Sequence, residues 1–164
     1  MNRLLIISLI FLVYSLESCD TNRVFEKNTK IKDYVWMHDQ KITFEVEITD
    51  TATLYNIYIN VRHTGSYPMQ NLWVKIETIF PTGKALSQEL SLPLAEKTGK
   101  WLGDGLGDIW DRSIMIQENA YFDETGLYTF NIEQNTRRTQ LWGVMDIGLR
   151  IEKAATDALI QDVR

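Results

Sequence analysis

The densest run of residues with chemical potential is Gly99-Lys100-Trp101-Leu102-Gly103-Asp104-Gly105-Leu106-Gly107-Asp108-Ile109-Trp110-Asp111. Its glycines imply backbone angles that other residues adopt only at a cost. Asp104, Asp108 and Asp111 could gather around calcium. Their spacing lacks the alternating ligands and the closing Glu of an EF-hand loop, so no metal ligands are assigned. A phosphate cradle fails twice. Gly103-x-Gly105-x-Gly107 lacks the order of a dinucleotide loop, and Asp104 and Asp108 would repel an anion. The remaining function is partner binding, with Trp101 or Trp110 as an exposed anchor among Asp104, Asp108 and Asp111. Equally, both tryptophans could cap one end of a core while the glycines let the chain turn.

Other candidates are sparser. His38 and His63 lie far apart, without the spacing of a zinc site. His63 follows Arg62 and opens a turn, which predicts a solvated loop histidine. No nucleophile motif or carboxylate pair in an apolar setting stands out, so neither catalysis nor a cofactor is expected. Tyr55, Tyr58 and Trp73 could form an aromatic platform, with Tyr58 and Trp73 stacking on sugar rings, or could pair across strands within a sheet.

The only cysteine, Cys19, sits in a telling place. Arg3 precedes an apolar run over residues 4–16, which is shorter than the roughly 20 residues that span a bilayer. It has the length of a signal-peptide core. Leu16-x-Ser18-Cys19 resembles a lipobox, with Glu17 as the departure from its usual small or apolar residue. Residues 1–18 are then the signal peptide. Cys19 becomes the acylated N-terminus, carrying palmitate-type chains. Each buried methylene contributes about 0.8 kcal/mol of membrane affinity, so three chains anchor the protein for good.

These residues need a scaffold, and the hydropathy pattern supplies one. Of 164 residues, 45% are apolar, enough for one domain with a real core. The net charge of −5 argues against nucleic acid, which demands a basic face. Ile42, Phe44, Val46 and Ile48 alternate with polar residues, as a half-buried strand requires. The same alternation runs through residues 57–62, 72–78, 90–94, 114–116, 128–133 and 145–152. Residues 34–36 add an eighth strand to these seven. Gly- and Pro-bearing turns separate most of them. The expected fold is all-β: a two-sheet antiparallel β-sandwich, Ig-like or jelly-roll-like, of seven to eight strands over residues 33–153. Residues 19–32 are polar and read as a lipidated tether. Residues 154–164 read as a tail or short helix. Glu45, Glu47, Glu77, Glu133 and Glu152 fall at outward-facing positions.

Several stretches together resemble the gliding-motility lipoprotein GldH family of Bacteroidota. They are Cys19-Asp20-x-Asn22-Arg23-Val24-Phe25, Tyr34-Val35-Trp36, Leu54-Tyr55-Asn56-Ile57-Tyr58-Ile59-Asn60-Val61-Arg62, the 99–111 run, Gly126-x-Tyr128-x-Phe130-x-Ile132-Glu133-Gln134, and Met145-Asp146-Ile147-Gly148-Leu149-Arg150-Ile151-Glu152. The resemblance implies a non-enzymatic envelope lipoprotein of gliding motility. It also implies work with other motility proteins and the type IX secretion apparatus, and lipid anchorage expected at the outer membrane. Only Cys19 transfers as a functional site. The competing expectation is an envelope lipoprotein that binds carbohydrate or peptidoglycan.

Overall fold

The computed structural model describes residues 21–155. Residues 1–18, expected to be a signal peptide, Cys19 and all but the first two residues of the 154–164 segment lie outside that range. Eleven strands are present among the described residues: β1 (Arg23–Lys30), β2 (Val35–Met37), β3 (Ile42–Ile48), β4 (Tyr55–Thr64), β5 (Asn71–Ile79), β6 (Ala85–Pro93), β7 (Asp104–Leu106), β8 (Ile109–Ala120), β9 (Gly126–Gln134), β10 (Gln140–Trp142) and β11 (Val144–Lys153). A single 3-10 turn, Lys32–Tyr34, joins β1 to β2.

The strands form a sandwich. One sheet has the order β1-β11-β4-β8-β7 and the other β3-β9-β5-β6, with a small β10-β2 ribbon beside them. Alternation decides which face is buried, because successive side chains point to opposite sides of a strand. β3 buries Ile42, Phe44, Val46 and Ile48 and exposes the residues between. β4 and β11 contribute Ile57, Ile59, Val61, Ile147, Leu149 and Ile151 from the opposing sheet to the same core. Phe25 of β1 meets Phe44 of β3 edge to face at 6.4 Å and closes one side of the sandwich. The other side is more open: Leu86, at the start of the edge strand β6, stays 57% exposed.

Two expectations are corrected. Residues 23–30 are not tether but an edge strand, paired with β11 from Glu152 to Asp146. Only Phe25 and Thr29 of that strand are even half-buried, so its sequence keeps the polarity of a linker. Residues 95–111, the longest gap between the strands expected from alternation, are also not one long loop. Their second half folds into the β7–β8 hairpin through the pairs Asp104–Asp111, Gly105–Trp110 and Leu106–Ile109. β7 and β10 have three residues each, too few to show a period.

The sandwich has two poles. Asn22, Tyr55, Ala120 and Gly126 mark the pole where β1 begins. There Tyr55, Phe122 and Tyr128 stack edge to face at 5.3 and 4.8 Å across the two sheets. At the opposite pole lie the β7–β8 hairpin, the β2–β10 ribbon and the 135–138 loop. Ten-residue β4 sets the separation at about 33 Å.

Candidate functional site

The hairpin is built by its glycines. Gly107 stands first in the two-residue turn at φ 63°, the position and sign that a type II′ turn demands. Gly105 leaves room for the Trp110 ring, whose Cζ3 would lie 2.7 Å from an added Cβ. The turn is tied down: the Gly65 N–H donates to the Asp108 carbonyl at 2.8 Å. A rigid hairpin results, with Leu106 at its tip, 85% exposed.

Neither tryptophan is a free anchor. Trp101 bridges to Ala95 and is partly buried against the core. Its ring lies 4.6 Å from His63 and 6.4 Å from Tyr67. Trp110 is half-buried over Gly105. The capping role weighed from the sequence thus describes Trp101, whereas Trp110 packs on Gly105 of its own hairpin. The aspartates do not converge either. Asp104 and Asp111 face each other across the hairpin, Asp108 lies against Gly65, and the Arg62 Nε donates to Asp111 at 2.7 Å.

His63 corrects the expectation of a solvated histidine, for it is fully buried. It faces inward because β4 continues its alternation past Val61, its last apolar position, and His63 falls two residues on, on the same face. Its Nδ1 lies 2.9 Å from the Thr64 carbonyl, which only accepts, so Nδ1 carries the proton. Nε2 is then a bare acceptor. It is the one buried side-chain nitrogen or oxygen without a partner among the described residues. Burial pushes its pKa down, against smaller raising effects of the Thr64 hydrogen bond and the Asp111 charge. Enclosed by Tyr67 and Trp101, the ring is out of reach of a substrate.

A pH dependence follows. The unfolded chain binds a proton near pH 6.5 that the folded chain refuses. Stability therefore falls as pH drops below about 6.5, by at most ~1.4 kcal/mol per pH unit, until the folded pKa is reached. Asp50 and Glu77, whose pKa values are lowered by hydrogen bonds from Thr53 and Asn131 first, lose their contribution only at more acidic pH. Urea midpoints between pH 7.5 and 5.5 thus isolate the histidine. They should fall with acid in the native chain and stay flat in His63→Phe.

The outer faces carry two concavities that the sequence did not announce. The first is a groove of about 280 Å³ on the five-stranded sheet, lined by Glu26, Asn28, Asn60, Arg62, Asp104, Asp111 and Asp146 among others. Arg62 holds Asp111 and lies 3.8 Å from Asp146, while Asn60 donates to Glu26 at 3.1 Å. Arg150 bridges Glu26 and Glu152, at 3.3 and 2.7 Å, and the Tyr58 hydroxyl donates to Glu152 at 2.7 Å. Gly148 lies beneath, where an added Cβ would displace the Asn28 carboxamide from its place beside Asn60. The signal was present: β4 and β11 alternate polar groups that match across adjacent strands. Read strand by strand, they look like a solvated face.

The second is a trough of about 680 Å³ on the four-stranded sheet, lined by Met69, Trp73, Glu89 and residues 135–138. Fully buried Gln134 shapes it. Its Nε2 donates to the Arg138 carbonyl at 2.7 Å, and its Oε1 accepts from the Thr136 N–H at 2.9 Å. That loop sets exposed Arg137 and Arg138 beside Trp73. Tyr58 and Trp73 lie on outer faces of different sheets, so they do not form one stacking platform.

Fold and surface define a β-sandwich module that offers grooves, a trough and an apolar hairpin tip. The family model described as GldH lipoprotein matches residues 23–151. The chain belongs to the GldH lipoprotein family. It is 34% identical over 152 residues to a Gliding motility lipoprotein GldH homolog of Christiangramia forsetii, covering 88% of this chain and 93% of that one. It is 30% identical over 145 residues to Gliding motility lipoprotein GldH of Flavobacterium johnsoniae, covering 84% and 89%. Among solved structures, a chain of infectious bursal disease virus Gx strain matches at TM-score 0.38 and 13% identity, covering 86% of this chain and 35% of that one. TmCBM61 in complex with beta-1,4-galactotriose matches at TM-score 0.32 and 12% identity, covering 79% and 87%. Those two likenesses are too loose to carry an inference.

Proposed function

We propose that this protein is a lipid-anchored, non-enzymatic subunit of gliding motility, held at the outer membrane through Cys19 and linked to the type IX secretion apparatus. The observation that carries the reading is kinship with relatives named for gliding motility along nearly their whole length. The surfaces are compatible with it, since a rigid apolar tip suits a protein contact. Anchorage adds to it, because confinement to a surface raises the effective concentration of a weakly held partner.

The test is crosslinking and affinity purification of tagged full-length protein from its own cells, beside Cys19→Ala. Motility or secretion components should co-purify with the native chain and be reduced or lost with the variant, which should also leave the membrane fraction and stop cell spreading. Normal spreading and capture by a soluble Cys19→Ala protein would overturn the reading.

The contact itself is assigned to the hairpin tip. Leu106→Asp should weaken partner capture tenfold or more, about 1.4 kcal/mol. Its unfolding midpoint should stay within about 0.5 kcal/mol of the native chain, because the side chain is exposed. Unchanged capture would move the contact elsewhere.

A second reading, binding of envelope carbohydrate, now rests on Trp73 with Arg137 and Arg138. That geometry suits an acidic sugar stacked on the indole with its carboxylate on a guanidinium. Isothermal titration of the domain with uronate oligosaccharides decides it. Binding lost in Trp73→Ala favours it, and no heat across the panel removes it.

A further inference from the structure

We propose that the anchor holds the sandwich upright on the bilayer, with the pole formed by loops 49–54, 80–84 and 121–125 against the lipid and the β7–β8 hairpin turned away from it. This rests on the reading that Cys19 carries the lipid.

The argument is one of chain length. The Lys153 N–H donates to the Asn22 carbonyl at 2.7 Å, and β1 is paired with β11 from Arg23 onward. Asn22 is therefore already part of the folded body. Three residue steps separate it from Cys19, so the two Cα atoms lie within about 11 Å of each other. That is about a third of the length of β4, too short for the far pole to take the place of this one at the surface that holds the acyl chains. β1 runs away from the anchor and carries its paired strands with it.

The composition of the near pole agrees. Tyr121 is 65% exposed in its loop, with Leu127 at 49% and Val24 at 39% close by. A tyrosine and scattered aliphatic groups suit the headgroup boundary, where an apolar body with a polar tip is at home. Lys84 and Lys153 stand against Asp50, Asp123 and Glu124, which leaves these five groups one negative charge, and Lys153 lies 3.4 Å from Asp50. Charge therefore does not drive the approach; the short leash keeps this pole at the surface, and its exposed Tyr121, Leu127 and Val24 favour the upright pose. The competing pose lays the domain on the β1 edge, where Lys27 and Lys30 are exposed.

The experiment uses native, acylated full-length protein in vesicles of phosphatidylethanolamine and phosphatidylglycerol that carry a headgroup quencher. Acylated Cys19 has no free thiol and the chain has no other cysteine, so Thr82→Cys, Asp123→Cys, Lys30→Cys and Arg137→Cys each accept one fluorophore. Quenching at Thr82 and Asp123 should exceed that at Arg137 several-fold, with Lys30 between. Equal quenching at all four sites, or the strongest at Lys30, would overturn the orientation. Inserting ten Gly/Ser residues between Asp20 and Thr21 should flatten the differences, and persistence of the pattern would overturn the role of the leash. The mass of the purified protein separates the two readings. An unacylated Cys19 removes the anchor and this orientation together, whereas an acylated chain with uniform quenching removes the orientation alone.

Discussion

Trp36→Ala should lower the unfolding free energy by about 3–5 kcal/mol, the usual cost of deleting a buried aromatic side chain. The indole is completely buried on β2, opposite Leu141 of β10, which is buried as well. Its Nε1–H donates to the Gln40 carbonyl at 3.0 Å, and alanine leaves that bond unmade. A domain of this size has about 5–15 kcal/mol in hand, so roughly a fifth of its stability or more rests on one side chain. The melting temperature should fall by roughly 10–20 °C. Trp36→Phe should recover much of the loss by refilling part of the cavity. A shift of only a few degrees in Trp36→Ala would show that the β2–β10 ribbon is dispensable to the core. The effect exceeds that expected at Trp101, which is only partly buried.

Gly103→Val should break the hairpin while leaving the sandwich folded. Gly103 adopts φ 97°, which a β-branched residue adopts only under strain of about 1–3 kcal/mol. An added Cβ would also run into the backbone carbonyl of Asp111 and lie 3.1 Å from the Arg112 Cβ. A backbone atom cannot rotate aside, so the strand pair must part. Only three residue pairs join β7 to β8, which makes local opening the cheapest escape. Amide exchange over Asp104–Leu106 should accelerate about 30–100-fold, equivalent to ~2–3 kcal/mol of lost local stability. The urea midpoint of the whole domain should move little. Unchanged exchange in Gly103→Val would show that the hairpin is not held by Gly103. Because Leu106 rides on this pair, the variant should also reproduce the partner loss expected of Leu106→Asp.

The outcome at β3 shows when alternation is legible. One face of that strand meets the opposing sheet along its whole length, and the sequence records this as four apolar residues at every second position. β1 shows the failure. At the edge of the sheet its inner positions are only half covered, and so it is written in the polar alphabet of a linker. His63 fails for another reason. Polarity placed it in water, but strand phase placed it inside, where Tyr67 in the following turn and Trp101, distant in sequence, enclose it.

The candidate site divides the same way. The glycine-rich run announced tight backbone geometry, and the hairpin has it. The run did not say which of its apolar residues would be covered. Trp101 and Trp110, the conspicuous ones, are packed down, while Leu106 is left bare at the tip. Tyr58 and Trp73 looked like partners by residue type, yet they stand on opposite outer faces.

By itself, the sequence determined the all-β class, the inward residues of the fully covered strands and the kinship with the GldH lipoproteins. Those follow from local periodicity and from ordered motifs, which are properties of neighbouring residues. Tertiary structure alone decided that residues 23–30 join a sheet, that His63 is buried, and that Gln134 shapes a loop beside Trp73. It also set the pole at which β1 begins. Each of these depends on which distant strand lies alongside, and pairing across the chain leaves no period within the segment it places.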